Sequence, residues 1–281
     1  MVFEHEIPAG SRLYFGKTAR AKRELEYKIS SLLDESGFDE IVTPNFSYSQ
    51  HQSIANDRKL IKFSDKQNEQ VSLRADSTLD VVRIITKRLG RTTDHKKWFY
   101  IQPVFSYPSS EDYQIGCEWI AHDNIVDILN LTGNILNSLE INPILQLSNI
   151  NIPKLVAKEL GIDIDLFKNG EIAKLFELKI SWLNDLIKVK NIDDLEEAIL
   201  VVPANIKVEL EKLLKTSKEV EYKNLVIAPL YHGSLKYYDD VYYRVIQDNH
   251  VLCKGGKYSA DGISSLGFAL YTDSLLKILE D

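Results

Sequence analysis

The spacing of apolar and polar residues predicts a helix and then a strand at the start of the chain. Residues 17–36 place four apolar side chains on one helical face, and these are Leu25, Ile29, Leu32 and Leu33. Gly37 follows as a candidate C-cap, because glycine readily adopts the left-handed conformation that ends helices. The β-branched segment 38–44 then predicts a strand near a sheet edge that ends at Pro44.

Further strands are predicted over most of the chain. They lie at residues 71–75, 97–107, 113–121, 144–150, 224–231, 237–247, 250–256 and 264–271. The segments 97–107 and 113–121 are rich in aromatic residues and predict an antiparallel hairpin. A tight turn at Asp248-Asn249 is expected to join two of the later strands.

Helical spacing predicts helices between these strands. The spacing from Ser77 to Asp80 indicates a capping box that opens a helix through Leu89. Helical periodicity returns at 125–139 and in the final segment, TDSLLKILE.

The long segment 153–223 differs in composition from the rest. Glu, Lys, Leu and Ile dominate it, which predicts short amphipathic helices and an inserted helical subdomain. Elsewhere the strands cluster and pair locally, so the fold class is α+β, with an antiparallel sheet flanked by helices. We expect one domain over 1–281, with a core of 1–152 and 224–281.

Composition and charge exclude several classes of protein. The 281 residues include 34 Lys plus Arg and 41 Asp plus Glu, a net charge of −7, so we expect no nucleic-acid partner. Apolar runs fall well short of the ~18 residues that span a membrane, and no signal segment is visible. Cys117 and Cys253 lie far apart, as expected for core thiols in a reducing cytoplasm.

Familiar motifs for metals and cofactors are missing from the sequence. The six histidines are scattered and have no Cys or His at metal-binding spacing. GxSxG, GxxxxGK and GxGxxG are also absent. We therefore expect no metal site and no cofactor. The pair Gly255-Gly256 is more typical of a turn than of a ligand cradle.

Polar residues inside apolar strands are the best candidates for a binding site, because burying them is costly unless something pairs them. Gln114 and Glu118 are four residues apart and share a face if they lie on one strand. A carboxylate and an amide on one face suit a small cation or an ammonium group. The alternative is that this face of the sheet is exposed to solvent.

Other candidates lie at a strand-to-helix turn and in a tyrosine pair. Asp76 and Thr78 offer two acceptors at the turn, although helix capping explains them equally well. Tyr237 and Tyr238 either offer a phenol to a ligand or pack in the core.

Seven short segments stand out, and these are GFDEIVTP, LRADST, FYIQPVFSY with QIGCE, LKYYDDVYYRVI with CKGGKYS, and SLGFALYTDSLL. In this order they resemble the motifs of histidyl-tRNA synthetase, a class II aminoacyl-tRNA synthetase. Together they span roughly residues 12–280 of the chain, and 153–223 lies where that family also carries an insertion. The resemblance implies the class II synthetase catalytic-domain fold.

Departures from that family bear on catalysis. Aminoacyl adenylation uses arginines to clamp phosphates, and their planar fork is bidentate. Where the family has arginine, this chain has Ser106, the segment Tyr231-His232-Gly233-Ser234, and Ser274. We therefore expect no adenylating activity. We also expect the family's C-terminal anticodon-binding domain to be absent.

The amino-acid pocket is better retained. By resemblance, Asp76 stands at the position of the glutamate that binds the α-ammonium of histidine, with Thr78 and Gln114 beside it. The remaining residues implied by the resemblance are Glu118 and a tyrosine of the Tyr237-Tyr238 pair for the imidazole, and Tyr258 as a lining residue.

This combination resembles the regulatory subunits of ATP phosphoribosyltransferase, the first enzyme of histidine biosynthesis. The resemblance implies a non-catalytic subunit that supports a short-form catalytic subunit and mediates histidine feedback. It also implies a homodimer through the first-motif region. The alternatives are a minimal histidyl-tRNA synthetase or adenylating paralogue, and a synthetase-fold binding module for another partner.

Overall fold

A computed structural model describes residues 6–49, 59–233, 238–260 and 262–280. Their contacts form two compact units. The first unit comprises Met1–Ala121, Ala260–Ile263 and Gly267–Asp281, and the second comprises His122–Ser259 and Ser264–Leu266.

The strands of the described residues follow one another along the chain. They are β1 (Asp39–Glu40), β2 (Phe46–Tyr48), β3 (Lys62–Ser64), β4 (Gln70–Leu73), β5 (Lys97–Ser106), β6 (Ser110–Ile120), β7 (Ile144–Asn149), β8 (Leu225–Ile227), β9 (Tyr238–Gln247), β10 (His250–Ala260) and β11 (Ile263–Tyr271).

The helices separate and flank these strands. They are α1 (Gly16–Glu35), α2 (Thr78–Lys87), α3 (Ile125–Ser138), α4 (Asn151–Leu160), α5 (Asp165–Lys168), α6 (Ile172–Glu177), α7 (Ser181–Lys188), α8 (Ile192–Val201), α9 (Ala204–Glu219) and α10 (Thr272–Glu280). A short 3₁₀-helix, Leu89–Arg91, follows α2.

The first unit contains two groups of paired strands. In one, β1, β5, β6 and β11 are successive neighbours, with β1 parallel to β5 and β5 antiparallel to β6. In the other, β4 lies between β2 and β3. The predicted edge strand and the predicted hairpin are thereby confirmed. β2 and β3 were not predicted, because each has only three residues and no clear alternation.

Helix α1 forms as its apolar pattern predicts. Leu25, Ile29 and Leu33 are buried along one face, and each is expected to stabilise the unit by about 1.5–3 kcal/mol. Gly37 adopts a positive φ of 80°. The amide of Phe38 then donates to the carbonyl of Leu33 at 3.0 Å, as in a Schellman motif, which confirms the predicted C-cap.

The predicted capping box at Ser77 is wrong. Ser77 already has helical backbone angles, so its hydroxyl does not cap α2 and has no hydrogen-bond partner. The Asp76 carboxylate accepts from the amide of Leu79 at 3.2 Å instead. Asp80 is turned toward Arg83, whose guanidinium donates to it at 2.8 Å.

In the second unit, β10, β9, β7 and β8 are successive neighbours. The pairs β10–β9 and β9–β7 are antiparallel, whereas β7 and β8 are parallel. The predicted turn at Asp248-Asn249 is confirmed, and Asp248 has a positive φ of 51°. Parallel pairing occurs beside antiparallel pairing, so the α+β class is confirmed with a mixed rather than purely antiparallel strand arrangement.

The helical segment forms the predicted series of short helices, α4 to α9. Apolar residues spaced along them are fully buried, including Leu175, Leu183, Leu195 and Leu210. These helices belong to the second unit together with β7 to β10. The division into a core of 1–152 and 224–281 with an insertion of 153–223 stays a prediction. None of the helices in the described part of the chain combines the length and apolarity that a membrane crossing requires.

Candidate functional site

Strands β5 and β6 present the predicted polar pair on one face. Their register places Gln114 opposite Gln102 and Glu118 opposite Trp98. Side chains alternate along a strand, so Gln114 and Glu118 point to the same side. Glu118 has an exposed fraction of 0%, which excludes the solvent-facing alternative for this residue. Gln114 is half-buried.

Two glycines create the space that Tyr100 and Glu118 occupy. A Cβ atom on Gly116, opposite Tyr100 in the hairpin, would overlap with the Tyr100 ring. A Cβ atom on Gly267 in β11 would overlap with the Glu118 carboxylate. Glycine suits these two positions because a buried polar side chain lies so close to the backbone that a Cβ atom has no room.

The Tyr100 hydroxyl connects Glu118 to helix α2. It donates to Glu118 Oε1 at 3.2 Å and lies 3.4 Å from the Thr78 hydroxyl. Burial and the Glu118 carboxylate raise the pKa of Tyr100 well above its usual value, so the phenol stays protonated. Tyr100 was missed from the sequence, although a tyrosine opposite a glycine in a predicted hairpin was available as a signal.

Asp76 stands in the turn between β4 and α2. Burial raises the pKa of its carboxyl from 3.8 to about 6, and the nearby Asp80 carboxylate adds to this rise. The amides of Leu79 and Thr78 act in the opposite direction, because they stabilise the charged form. Asp76 is therefore both a helix cap and a carboxylate that is costly to ionise.

Arg74 holds the backbone before this turn in place. It is fully buried, with 0% exposure, and its guanidinium donates to the carbonyls of Pro103 at 2.7 Å, Pro44 at 2.9 Å and Thr43 at 3.2 Å. The planar fork of arginine suits such a multidentate role. The sequence analysis missed this residue, which lies directly after β4 among apolar neighbours.

The second unit contains the other predicted residues. Tyr258 lies opposite Tyr238 in the β10–β9 pair, and both rings are buried. Tyr238 also stacks on Tyr242, with ring centroids 5.7 Å apart and an interplanar angle of 16°. Tyr237 lies outside the described residues.

Gly255 and Gly256 lie inside β10, so the turn predicted for them is wrong. A Cβ atom on Gly255 would lie 2.6 Å from the Tyr243 ring, and one on Gly256 would lie 2.6 Å from Cβ of Tyr242. Tyrosine side chains fill the space above both glycines. The pair serves close packing between strands.

Two further predictions concern the cysteines and metal binding. Cys117 and Cys253 are both buried, as the core interpretation predicts, and burial raises the pKa of the Cys253 thiol. In the part of the chain that the structure describes, no group of three or more His, Cys, Asp or Glu side chains is placed to hold a metal ion. Buried acceptors such as Glu118 instead suit a ligand that donates N–H groups.

Comparison with known proteins places this site in a family. Residues 14–275 match the family model of histidyl-tRNA synthetase. The ATP phosphoribosyltransferase regulatory subunit of Wolinella succinogenes is 45% identical over 277 residues, covering 99% of this chain and 96% of the relative. The chain belongs to the family of ATP phosphoribosyltransferase regulatory subunits.

Further matches agree with this family. The ATP phosphoribosyltransferase regulatory subunit of Helicobacter hepaticus is 42% identical over 279 residues, and the match covers 99% of this chain and 99% of the relative. The crystal structure of an ATP phosphoribosyltransferase regulatory subunit/histidyl-tRNA synthetase from Bacillus halodurans has a TM-score of 0.83 at 19% identity. It covers 100% of this chain and 84% of that chain. The latter match confirms the class II synthetase fold.

Membership of the regulatory-subunit family agrees with the arginine departures. The three places in question hold Ser106 at the end of β5, the segment Tyr231-His232-Gly233-Ser234, which follows β8 in the sequence, and Ser274 in the first turn of α10. None of these side chains provides the bidentate fork that a nucleotide phosphate clamp uses. The expectation of a regulatory rather than a catalytic role is confirmed by the family.

Proposed function

We propose that this chain is the regulatory subunit of an ATP phosphoribosyltransferase in histidine biosynthesis, where it supports a short-form catalytic subunit and conveys feedback by histidine. The names of its relatives and the class II fold support this function. We also propose that it acts in the cytoplasm, without a nucleic-acid partner.

The buried Glu118 carboxylate carries the proposal that histidine is the ligand. Its partner Tyr100 is held protonated, and Gln114 lies on the same face of β6. A carboxylate inside a protein is best satisfied by charged or N–H donor groups. Histidine brings both, as an imidazole N–H and an α-ammonium.

Asp76 and Thr78 are proposed to receive the α-ammonium. The Thr78 hydroxyl is within hydrogen-bond distance of Tyr100, which in turn donates to Glu118. An ammonium group would stabilise the charged form of the Asp76 carboxyl, whose pKa burial raises to about 6. That Tyr237, Tyr238 and Tyr258 complete the imidazole pocket stays a prediction.

Feedback requires that histidine binds one state of the complex better than another. Coupling between sites is typically about 1–3 kcal/mol, which corresponds to roughly 5- to 150-fold in affinity. Histidine can then shift the complex between these two states only by as much as its affinities for them differ.

Titration calorimetry on the purified chain tests the histidine site. Wild-type protein is expected to release or absorb heat on binding histidine, and Glu118→Gln is expected to abolish that heat. Glu177→Gln is the control, because Glu177 is exposed on α6. Gln114→Ala, at a half-buried position, provides a second variant if Glu118→Gln alters the fold. A wild-type chain that gives no heat, or a Glu118→Gln chain that binds as well as wild type, contradicts the site.

Co-purification tests the partner separately. We expect the chain to retain a short-form ATP phosphoribosyltransferase catalytic subunit from the same organism, and histidine to inhibit the reconstituted complex. Failure to form this complex contradicts the proposed function, even if the isolated chain binds histidine.

We further propose that the chain forms a homodimer through the first-motif region. Support comes from exposed apolar side chains there, since Tyr27 on α1 is 75% exposed and Val42 after β1 is 82% exposed. Light scattering is expected to show a dimer for wild type and a monomer for Val42→Asp. A monomeric wild type contradicts this interface.

A further inference from the structure

Three strands of the second unit bring an amide and two cationic side chains into one row. Gln146 of β7 lies directly opposite Arg244 of β9, and Arg244 lies directly opposite Lys254 of β10. Directly opposed residues on neighbouring strands face the same side, with Cβ atoms about 4.5–5.5 Å apart. None of these three residues belongs to the set proposed to bind histidine.

The two positive charges in this row face no negative charge. Arg244 donates to Gln146 Oε1 from Nε at 3.3 Å and from Nη2 at 2.9 Å, and its guanidinium lies 3.9 Å from the centre of the Tyr231 ring. Both of these partners are neutral. Among the described residues, no ion pair joins Arg244 or Lys254 to a carboxylate.

Such an arrangement is unfavourable in the free protein. Like charges directly opposite each other on adjacent strands are destabilising. Lys254 is half-buried, and burial together with the nearby Arg244 charge lowers the pKa of its ammonium. Strained electrostatics of this kind are typical of functional sites.

Gln146 adds a donor that has no acceptor. The residue is 8% exposed, and its Nε2 atom is buried without a hydrogen-bond partner. Buried amide groups are normally hydrogen-bonded, and an unpaired one costs free energy. The contacts of Arg244 with Gln146 Oε1 and with Tyr231 explain the position of the guanidinium. They explain neither why Lys254 lies beside it nor why Gln146 Nε2 has no acceptor.

Two further cations act on the segment next to Tyr231. Burial lowers the pKa of His232, and the charges of Lys168 and Lys154 lower it further. An anion close to His232 would also be stabilised by these two charges.

We propose that Gln146, Arg244 and Lys254 form a binding site for an oxyanion, the phosphate or carboxylate group of a small ligand. The anion would accept from the Lys254 ammonium, from Gln146 Nε2 and from the guanidinium. A small cavity lined by Tyr231, Arg244 and Lys254 has a volume of about 10 Å³. This is room for about one water-sized group, so one oxygen of the anion enters it and the rest of the ligand stays outside.

Thermal unfolding at constant ionic strength tests this site, with chloride replaced by inorganic phosphate in one arm and by acetate in the other. We expect the melting temperature of the wild-type full-length chain to rise with one of these anions. A response to phosphate indicates a phosphoryl ligand, and a response to acetate indicates a carboxylate ligand. No response to either anion overturns the proposal.

Variants of the row assign the effect to these residues. Lys254→Met keeps the aliphatic stem and is expected to weaken the anion's apparent affinity roughly tenfold or more, because a charge-assisted hydrogen bond is lost. Lys254→Arg is expected to restore the response. Lys257→Met is the control, since Lys257 is on the same strand but pairs with Asp123 at 3.0 Å.

Gln146→Glu gives a reciprocal test, because it places a carboxylate opposite Arg244 with almost no change in shape. We expect this variant to melt at a higher temperature than wild type in chloride and to lose the response to the anion. An anion response that is unchanged in both Lys254→Met and Gln146→Glu shows that the anion binds elsewhere and overturns the assignment.

Discussion

Single glycines decide where the buried polar side chains of the candidate site lie. Gly116 leaves room for the Tyr100 ring, and Gly267 leaves room for the Glu118 carboxylate. A sequence shows such glycines but not the side chain that fills the space, because that side chain comes from another strand. Glu118 was predicted from strand alternation and from the family resemblance. Tyr100 and Arg74 were missed, because their roles depend on contacts between strands that no single segment shows.

Gly267→Ala is expected to displace the Glu118 carboxylate. The added methyl group overlaps with a buried polar group, and overpacking of this kind typically costs about 1–3 kcal/mol. Urea unfolding measures this loss, and calorimetry is expected to show weaker histidine binding. Gly90→Ala is a milder control, because its Cβ would meet its nearest neighbour, the Ile85 carbonyl oxygen, at 3.3 Å. Equal histidine binding by Gly267→Ala and wild type would show that the position of Glu118 is unimportant.

Asp76 makes stability depend on pH. Its pKa is raised from 3.8 to about 6 in the folded protein, so between these values the folded state binds more protons than the unfolded state. Stability is therefore expected to fall as pH rises from about 4 to 6, by up to roughly 3 kcal/mol.

Asp76→Asn removes this ionisation while keeping a capping side chain. We expect the variant to be more stable than wild type at pH 7.5 and to lose most of the difference between pH 4.5 and pH 7.5. Urea unfolding at both values measures the effect. An identical pH dependence in the two proteins would exclude Asp76 as its source.

Among the elements, those with long local patterns were predictable. Helix α1 follows from its apolar periodicity, and Gly37 marks its end. The β5–β6 hairpin follows from two long aromatic-rich segments. The three-residue strands β2 and β3 owe their existence to pairing with β4, which no local pattern shows. The capping box failed because Ser77, which directly precedes α2, already has helical backbone angles and its side chain makes no capping hydrogen bond.

Arg74 joins the end of β4 to β5 and to the segment after β1. Replacing it with Met is expected to destabilise the protein by about 3–5 kcal/mol, since several buried carbonyl groups lose their donor at once. Arg74→Lys is expected to restore only part of this loss, because a lysine cannot form the same fork.

The matching control is Arg83→Lys, a partly exposed position with a single close ion pair to Asp80. Thermal and urea unfolding compare the variants. A loss below 1 kcal/mol for Arg74→Met would mean that this hydrogen-bond network contributes little net stability.

At the scale of the whole molecule, the fold does not determine the function. The chain has the class II synthetase fold, but where the resemblance implies arginine it has Ser106, the segment Tyr231-His232-Gly233-Ser234, and Ser274. Since fold alone does not determine activity, these side chains and the regulatory-subunit family decide the interpretation. The predicted fold class followed from strand clustering, whereas the regulatory function followed from a resemblance to known sequences.

No histidine-dependent exchange of pyrophosphate into ATP is expected from the purified chain. Without arginines at the three positions, nothing there clamps the phosphates in the geometry that adenylation needs. The assay is run beside a histidyl-tRNA synthetase as a positive control. Turnover by this chain would contradict the non-catalytic role and favour an adenylating enzyme.

The first unit is built from distant parts of the chain, and this has a consequence for its synthesis. Its early residues run to Ala121, but β11 and α10 lie beyond residue 262. During translation, His122–Ser259 of the second unit is made before Gly267, whose backbone closes the slot around the Glu118 carboxylate. On the ribosome, the pocket proposed for histidine is therefore expected to be among the last features to mature.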